Sequence, residues 1–357
     1  MLIAVGSGVA QEKGGWELNA NVQSGMLLYH HSNMRALAER NTTGVEVGAV
    51  WRMQSNESWL SFYGYPSYGV SFALWDLGSP TYLGNMYALY PSMTFYLLSR
   101  STVGIDMTVG AGAAYVEKTY HHKYNYKNIA IGSHLNAFLR LNLAAKLKLS
   151  DRLSLNAGFS FSHLSNGTFK KPNAGLNMVS FSLGGAYAFA AKPLRSRPAF
   201  ENEEEPVRTA KEWSYYLFLG GGVKETWPIE SGKHLATGLS FEASRTHLAF
   251  TRFSGAFDVF YDASDYVTLR DEGCDVNRIQ TVKLGVAAGY EFQFGRLSAN
   301  LQAGIYLYAK NTENGILYQR MSLRYQLANR FKVHFGLKNH LGKADYIELG
   351  CGVKLNR

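Results

Sequence analysis

The sequence predicts an all-β fold: a membrane-spanning antiparallel barrel of about 16 strands in two eight-stranded halves. Three observations carry this expectation. The first is alternation. Between Asn128 and Leu149 the odd positions include Ile129, Ile131, Leu135, Leu139, Leu141, Leu143 and Leu147, and the even ones include His134, Asn136, Arg140, Asn142, Lys146 and Lys148. Period two is the geometry of a strand, and so long a strand with one nearly all-apolar face suits lipid better than a soluble core. The second is composition: 23 Tyr, 20 Phe and 36 Gly stand against 8 Pro. With mean hydropathy at −0.16, no apolar run reaches the roughly 18 residues a spanning helix needs. The third is loop length. "QSNES", "SRST" and "LSDR" are tight, whereas "SNMRALAERN", "EKTYHHKYNYK" and "GTFKKPNA" are long, the asymmetry of barrels with short inner turns and long outer loops.

Reading the alternation along the chain gives strands at 16–31, 43–54, 58–77, 82–99, 102–118, 128–149, 152–165 and 175–189 in the first half. The second half gives 213–225, 234–247, 249–262, 279–294, 296–310, 316–328, 330–339 and 344–356. Residues 1–15 are apolar up to the triplet Gly8-Val9-Ala10 and then polar, which reads as the remnant of a secretory signal peptide. Residues 191–212, with three prolines and a run of acids, read as a polar linker on the short-turn side. That divides the chain into a first barrel half at 16–190 and a second at 213–357. A single large barrel is the simpler assembly and is the arrangement expected. Two tandem eight-stranded barrels are the alternative, favoured by the small inward residues Gly110, Gly112, Gly158 and Gly184.

The net charge of +9 favours anionic partners, although charges lining a lumen or its loops would give the same total. Cys274 and Cys351 lie in unlike surroundings, so neither a disulfide framework nor a metal site is expected. No cofactor and no nucleic-acid partner are expected either, and the residues leave the oligomeric state open.

The segment "FSHLSNGTFKKPNAGLN" at 161–177 carries the chemistry. Leu153, Leu155, Ala157, Phe159 and Phe161 form an apolar row that His163 and Ser165 continue, so both side chains point outward near the membrane interface. Asn177 opens the equivalent row of the next strand, followed by Val179, Phe181 and Leu183. Residues two apart share a face, so the imidazole is expected to reach the serine hydroxyl. Unpaired polar groups against lipid are costly, which makes pairing or function the reason for them; residence at headgroup level is the bland alternative. His30 and Ser32 share their own strand's apolar row and read at most as a headgroup contact. His340 lies in an inward polar row with no serine beside it, so a second site there is not expected.

"HLSNG" followed by "KPNAGLN" resembles the active-site segment of the lipid A 3-O-deacylase (PagL) family of outer-membrane barrels. "YGYPSYGVSFALWDLGSPTYLG" and "YNYKNIAIGSHL" extend the resemblance over roughly residues 16–189, and the second half looks like an extension of longer relatives. The resemblance implies a bacterial outer-membrane serine esterase that removes an ester-linked acyl chain from lipid A. It implies Ser165 as nucleophile, His163 as base, and Asn166 and Asn173 as oxyanion support. The family's acidic third member falls on Asn177, a departure: an amide orients an imidazole but supplies no negative charge. Acyl chains would lie against Phe159, Phe161, Val179 and Phe181, with Lys170 and Lys171 near the lipid A phosphates. The expected partners are thus lipopolysaccharide and outer-membrane lipids. A porin-like channel or a lipopolysaccharide-binding barrel with a decayed site are the alternatives, and a phospholipase is a near variant.

Overall fold

The computed structural model describes residues 15–53, 55, 57–190, 212–230 and 232–356. The export segment and nearly all of the linker expected from the sequence lie outside these residues. The first eight strands are β1 (Gly15–Leu28), β2 (Thr42–Arg52), β3 (Ser67–Asp76), β4 (Asn85–Ser99), β5 (Val103–Val116), β6 (Leu135–Lys148), β7 (Leu153–Ser165) and β8 (Leu176–Ala188). The second eight are β9 (Trp213–Lys224), β10 (His234–Thr246), β11 (Thr251–Asp262), β12 (Lys283–Phe294), β13 (Leu297–Tyr308), β14 (Leu317–Ala328), β15 (Phe331–His340) and β16 (Lys343–Lys354). Two short helices join them, α1 (Ser58–Phe62) and α2 (Ala263–Asp271).

The single large barrel expected from the sequence is not what forms. β8 returns to β1, from Leu28↔Asn177 to Glu17↔Ala188, and β16 returns to β9 through pairs such as Leu219↔Cys351. Each half is a closed eight-stranded antiparallel barrel. The reason lies in the inward rows. Eight strands enclose a space that side chains can fill, whereas sixteen enclose a water channel.

In the first barrel the Arg140 guanidinium reaches Gln23 at 2.6 Å and Glu46 at 3.4 Å, and Glu17 accepts from Arg52 and Lys146, both at 2.6 Å. Small residues make room for this filling: a Cβ at Gly110 would stand 2.6 Å from the Tyr90 ring. What is left is a polar cavity of about 90 Å³. Towards the long-loop end the inward residues turn apolar. Trp75, Phe138, Leu164 and Met178 pack there with Met34, Leu37, Leu83 and Ile131 of the loops, and cap the lumen.

The second barrel is filled by ion pairs. Arg320 bridges Asp258 (3.2 Å) and Glu348 (2.6 Å); Arg324 bridges Glu242 (2.8 Å) and Glu291 (3.6 Å); Lys338 meets Asp345 at 2.6 Å. His340 is buried in this lumen, 3.0 Å from the Tyr306 hydroxyl, in line with its inward row. A buried charge stripped of its partner is strongly destabilising. Glu242 is fully buried and also accepts from Gln302. Glu242→Ala should therefore destabilise the second barrel by about 3–5 kcal/mol, read as a lower thermal unfolding midpoint in detergent.

The outward rows are largely apolar, with Leu141, Leu155, Phe181, Leu239, Phe257 and Leu323 all exposed. No described helix is long and apolar enough to cross a membrane. Both cysteines are free.

Two strand expectations need correction. Residues 58–66 are not strand: Trp59, Leu60 and Tyr63 are buried together, on one face of a helical turn, and pack on Met93 and Phe95. The same cluster touches the second barrel, where the Tyr63 hydroxyl donates to the Phe250 carbonyl at 3.0 Å. The strand read from residue 128 begins at Leu135. Asn128 instead knits the loop, donating to the Tyr82 and Lys118 carbonyls and accepting from the Ile131 N–H.

Candidate active site

The site sits where β7, β8 and β1 reach the long-loop end. Cross-strand register places His163 directly opposite Asn177, and Asn177 opposite Leu28. His163 and Asn177 are both half-buried and face outward, as their rows predict. The His163 Nδ1–H donates to Asn177 Oδ1 at 2.7 Å.

His30, two residues beyond Leu28, completes the row. Its Nε2 lies 3.1 Å from the Ala174 carbonyl, which can only accept, so Nε2 carries the proton and Nδ1 is an acceptor. Asn177 Nδ2 lies 3.4 Å from that Nδ1. The chain of donors thus has one consistent sense. It orients the Asn177 amide with its oxygen towards His163 and leaves His163 Nε2 with a free lone pair. Burial, helped by the adjacent His31, holds the His30 pKa below its ordinary value and favours this neutral form. From the sequence, His30 is at most a headgroup contact. The signal that places it here is the one used for His163, continuation of an apolar outward row.

Ser165 is 8% exposed. Its Oγ accepts from Asn173 Nδ2 at 3.0 Å and from the Gly167 N–H at 3.2 Å. Its own hydrogen has only a long contact, 3.4 Å to Asn173 Oδ1. Among the described residues no hydrogen bond joins His163 to Ser165, so the direct contact expected between them is absent. The reason is that Asn177 fixes the imidazole along the His163–Asn177 rung, while Asn173 and Gly167 hold the hydroxyl one step farther out. Catalytic hydrogen bonds of this kind are commonly long before substrate binds.

Asn166 does not do what was expected of its side chain. Its amide donates to Ser133 Oγ and to the Lys170 carbonyl, both at 2.8 Å, and so braces the loop instead of facing Ser165. Its backbone N–H donates to Asn173 Oδ1 at 3.0 Å, which turns the Asn173 amide nitrogen towards the serine. Gly167, absent from the sequence reading, supplies the second donor. Backbone donors carry no side-chain signature, which is why it was missed.

Below the His163–Asn177 rung, register stacks Phe161 on Val179 and then Phe159 on Phe181, the last two rings 5.2 Å apart. Successive rungs on one face are about 7 Å apart, so the ladder forms an apolar track running from the site into the bilayer. Lys170 is exposed, and the Lys171 ammonium lies 5.1 Å above the Trp227 ring of the second barrel. Among the described residues no cluster of His, Cys, Asp or Glu is placed to share a metal ion.

Gly175 lies against the imidazole. It has φ +78°, and a Cβ there would stand 3.0 Å from His163 Cε1. Gly175→Ala should displace the ring, because the left-handed backbone disfavours a side chain and the added methyl meets Cε1, read as a shifted His163 imidazole NMR signal in the folded variant.

A filled barrel with an apolar outer belt, carrying a histidine, a serine and asparagines on that belt, defines a membrane barrel with a lipid-facing polar site. Two models of the lipid A 3-O-deacylase (PagL) family together cover most of the chain, which belongs to that family: residues 43–185 match the model of that description. Residues 213–357 match the model described as acyloxyacyl hydrolase, C-terminal domain. No curated protein sequence matches the chain.

Among solved structures, Neisserial surface protein A is 11% identical, with 50% of this chain and 98% of that one covered, at a TM-score of 0.34. The outer membrane enzyme PagL is 16% identical, with 46% and 97% covered, at 0.32. Ail of Yersinia pestis is 10% identical, with 50% and 100% covered, at 0.30.

Proposed function

We propose that the chain is a serine esterase that removes an ester-linked acyl chain from lipid A at the outer leaflet. One observation carries the reading. Two residues apart at the end of β7, His163 is oriented through Nδ1 by Asn177, and the Ser165 oxygen is held by two hydrogen-bond donors. A phospholipid-facing wall of a structural barrel has no use for that arrangement. The family match supplies the substrate class.

In the proposed reaction the acyl chain lies along Phe161, Val179, Phe159 and Phe181, which brings the ester carbonyl to Ser165. The hydroxyl attacks as His163 Nε2 takes its proton. The Asn173 amide and the Gly167 N–H, already aimed at Oγ, stabilise the oxyanion that grows beside it. His163 then protonates the departing sugar hydroxyl, and a water activated by the same nitrogen releases the fatty acid. Asn177 holds the imidazole tautomer throughout. Lys170 and Lys171, with Lys118, His121, His122 and Lys123, would meet the lipid A phosphates.

The deciding measurement is mass spectrometry of lipid A from cells with and without the protein. Loss of one acyl mass supports the reading; an unchanged profile overturns it. The missing His163–Ser165 contact favours a second reading, a barrel that binds lipopolysaccharide without cleaving it. Retention of lipopolysaccharide with no fatty acid released would establish that alternative. Both lumens are packed with paired side chains, which weighs against a channel.

A further inference from the structure

The second barrel contributes no residue to the reaction just described, yet it grips the loop that does. That loop, residues 166–175, carries Gly167 and Asn173. Gly167 and Thr168 both have left-handed backbone, with φ +60° and +62°. For a β-branched residue this conformation is disfavoured and persists only where surroundings enforce it. The enforcing contacts come from the rim of the second barrel.

Glu225, the residue after β9, is 3% exposed. Its N–H donates to the Thr168 carbonyl at 2.9 Å, and its Oε2 accepts from the Lys171 N–H at 2.8 Å. Its other oxygen accepts from the Glu230 N–H at 2.5 Å, which fixes the carboxylate in place. The Thr168 hydroxyl donates to the Asp345 carbonyl on β16. Ile347, on the same strand, packs so closely on Gly167 that a Cβ there would lie 2.4 Å from its Cγ1. Lys233 lies 4.3 Å above the Phe169 ring and also donates to the Phe169 carbonyl. From 167 to 171, every residue but Lys170 is held from the neighbouring barrel.

We propose that the second barrel is the positioning element of the site: its rim, with Glu225 at the centre, sets the loop so that Gly167 N–H and Asn173 converge on Ser165. Glu225 is a positioning residue, since it acts through the backbone of Thr168 and Lys171 and through Lys233, whose ammonium lies 3.7 Å from its Oε2. The proposal rests on the esterase reading, but the clamp itself is measurable without turnover.

The test uses the full chain in detergent micelles with purified lipopolysaccharide as substrate, comparing wild type, Glu225→Ala and Glu225→Gln. Hydrogen exchange over residues 166–173 reads the clamp, and kcat and KM read its consequence. In Glu225→Ala, exchange at the Lys171 amide should accelerate and kcat should fall about 10- to 100-fold, the scale of a misplaced oxyanion donor. KM should change little, because the acyl track is untouched. Glu225→Gln keeps an acceptor oxygen and should restore most of kcat. Should Glu225→Ala fail to fold, Thr168→Val removes the bond to Asp345 and is read in the same way. Unchanged exchange overturns the proposal, as does faster exchange with kcat intact. A wild type that releases no fatty acid overturns the esterase reading and the catalytic half of this proposal together; exchange then judges the clamp alone.

Discussion

Ser165→Ala should abolish acyl release while leaving both barrels closed. The expected loss is on the order of 10⁴ or more, the scale seen when a nucleophile is removed and only binding and oxyanion donors remain. The fold should tolerate the change because the Ser165 hydroxyl supports nothing beyond its own loop: it receives bonds from Asn173 and Gly167. Loss of these two neutral hydrogen bonds costs about 2 kcal/mol. Lipid A mass spectra with the variant should match those without the protein. Full deacylation by Ser165→Ala would place the nucleophile elsewhere and remove the basis of the mechanism.

His163→Ala should be about as severe, with a loss on the order of 10⁴ or more, because it removes the proposed base. The partner substitution, Asn177→Asp, should act in the opposite direction. Asparagine and aspartate both accept the His163 Nδ1–H, now at 2.7 Å, but only the carboxylate stabilises the imidazolium formed as the serine loses its proton. Asn177→Asp should therefore raise kcat, with KM little changed. In a His163→Ala background the introduced carboxylate would have no imidazole to act on, and the gain should vanish. A gain that survived the loss of His163 would show that the added charge works on something else.

Much of this was legible in the sequence because lipid exposure imposes period two so strictly. The outward placement of His163 and Asn177 follows from counting along rows that begin with Leu153 and Val179, and the register makes β7 and β8 neighbours; Ser165, at the end of the same row, is buried beneath its loop. What the rows cannot report is which strand closes on which. Whether β8 pairs with β1 or continues into β9 depends on how the inward side chains fill space, a property of the whole lumen. Short-range pattern also failed where apolar residues serve a loop or helix. Ile129 and Ile131 extend the odd row of β6 yet belong to the loop over the lumen, and the Trp59–Phe62 turn mimics alternation over too few residues to betray its helical period. In the site, the role of His30 depended on contacts across more than 140 positions of chain, with Ala174 and Asn177. The donation from Gly167 leaves no trace in residue type.

The two closures, β1 to β8 and β9 to β16, have a consequence for biogenesis. Neither cylinder needs a strand from the other to complete its hydrogen bonding, so membrane insertion can proceed as two separate zipping events. An arrested chain would hold one sealed cylinder beside an open sheet, a species visible on unheated gels between the fully compact and fully extended forms.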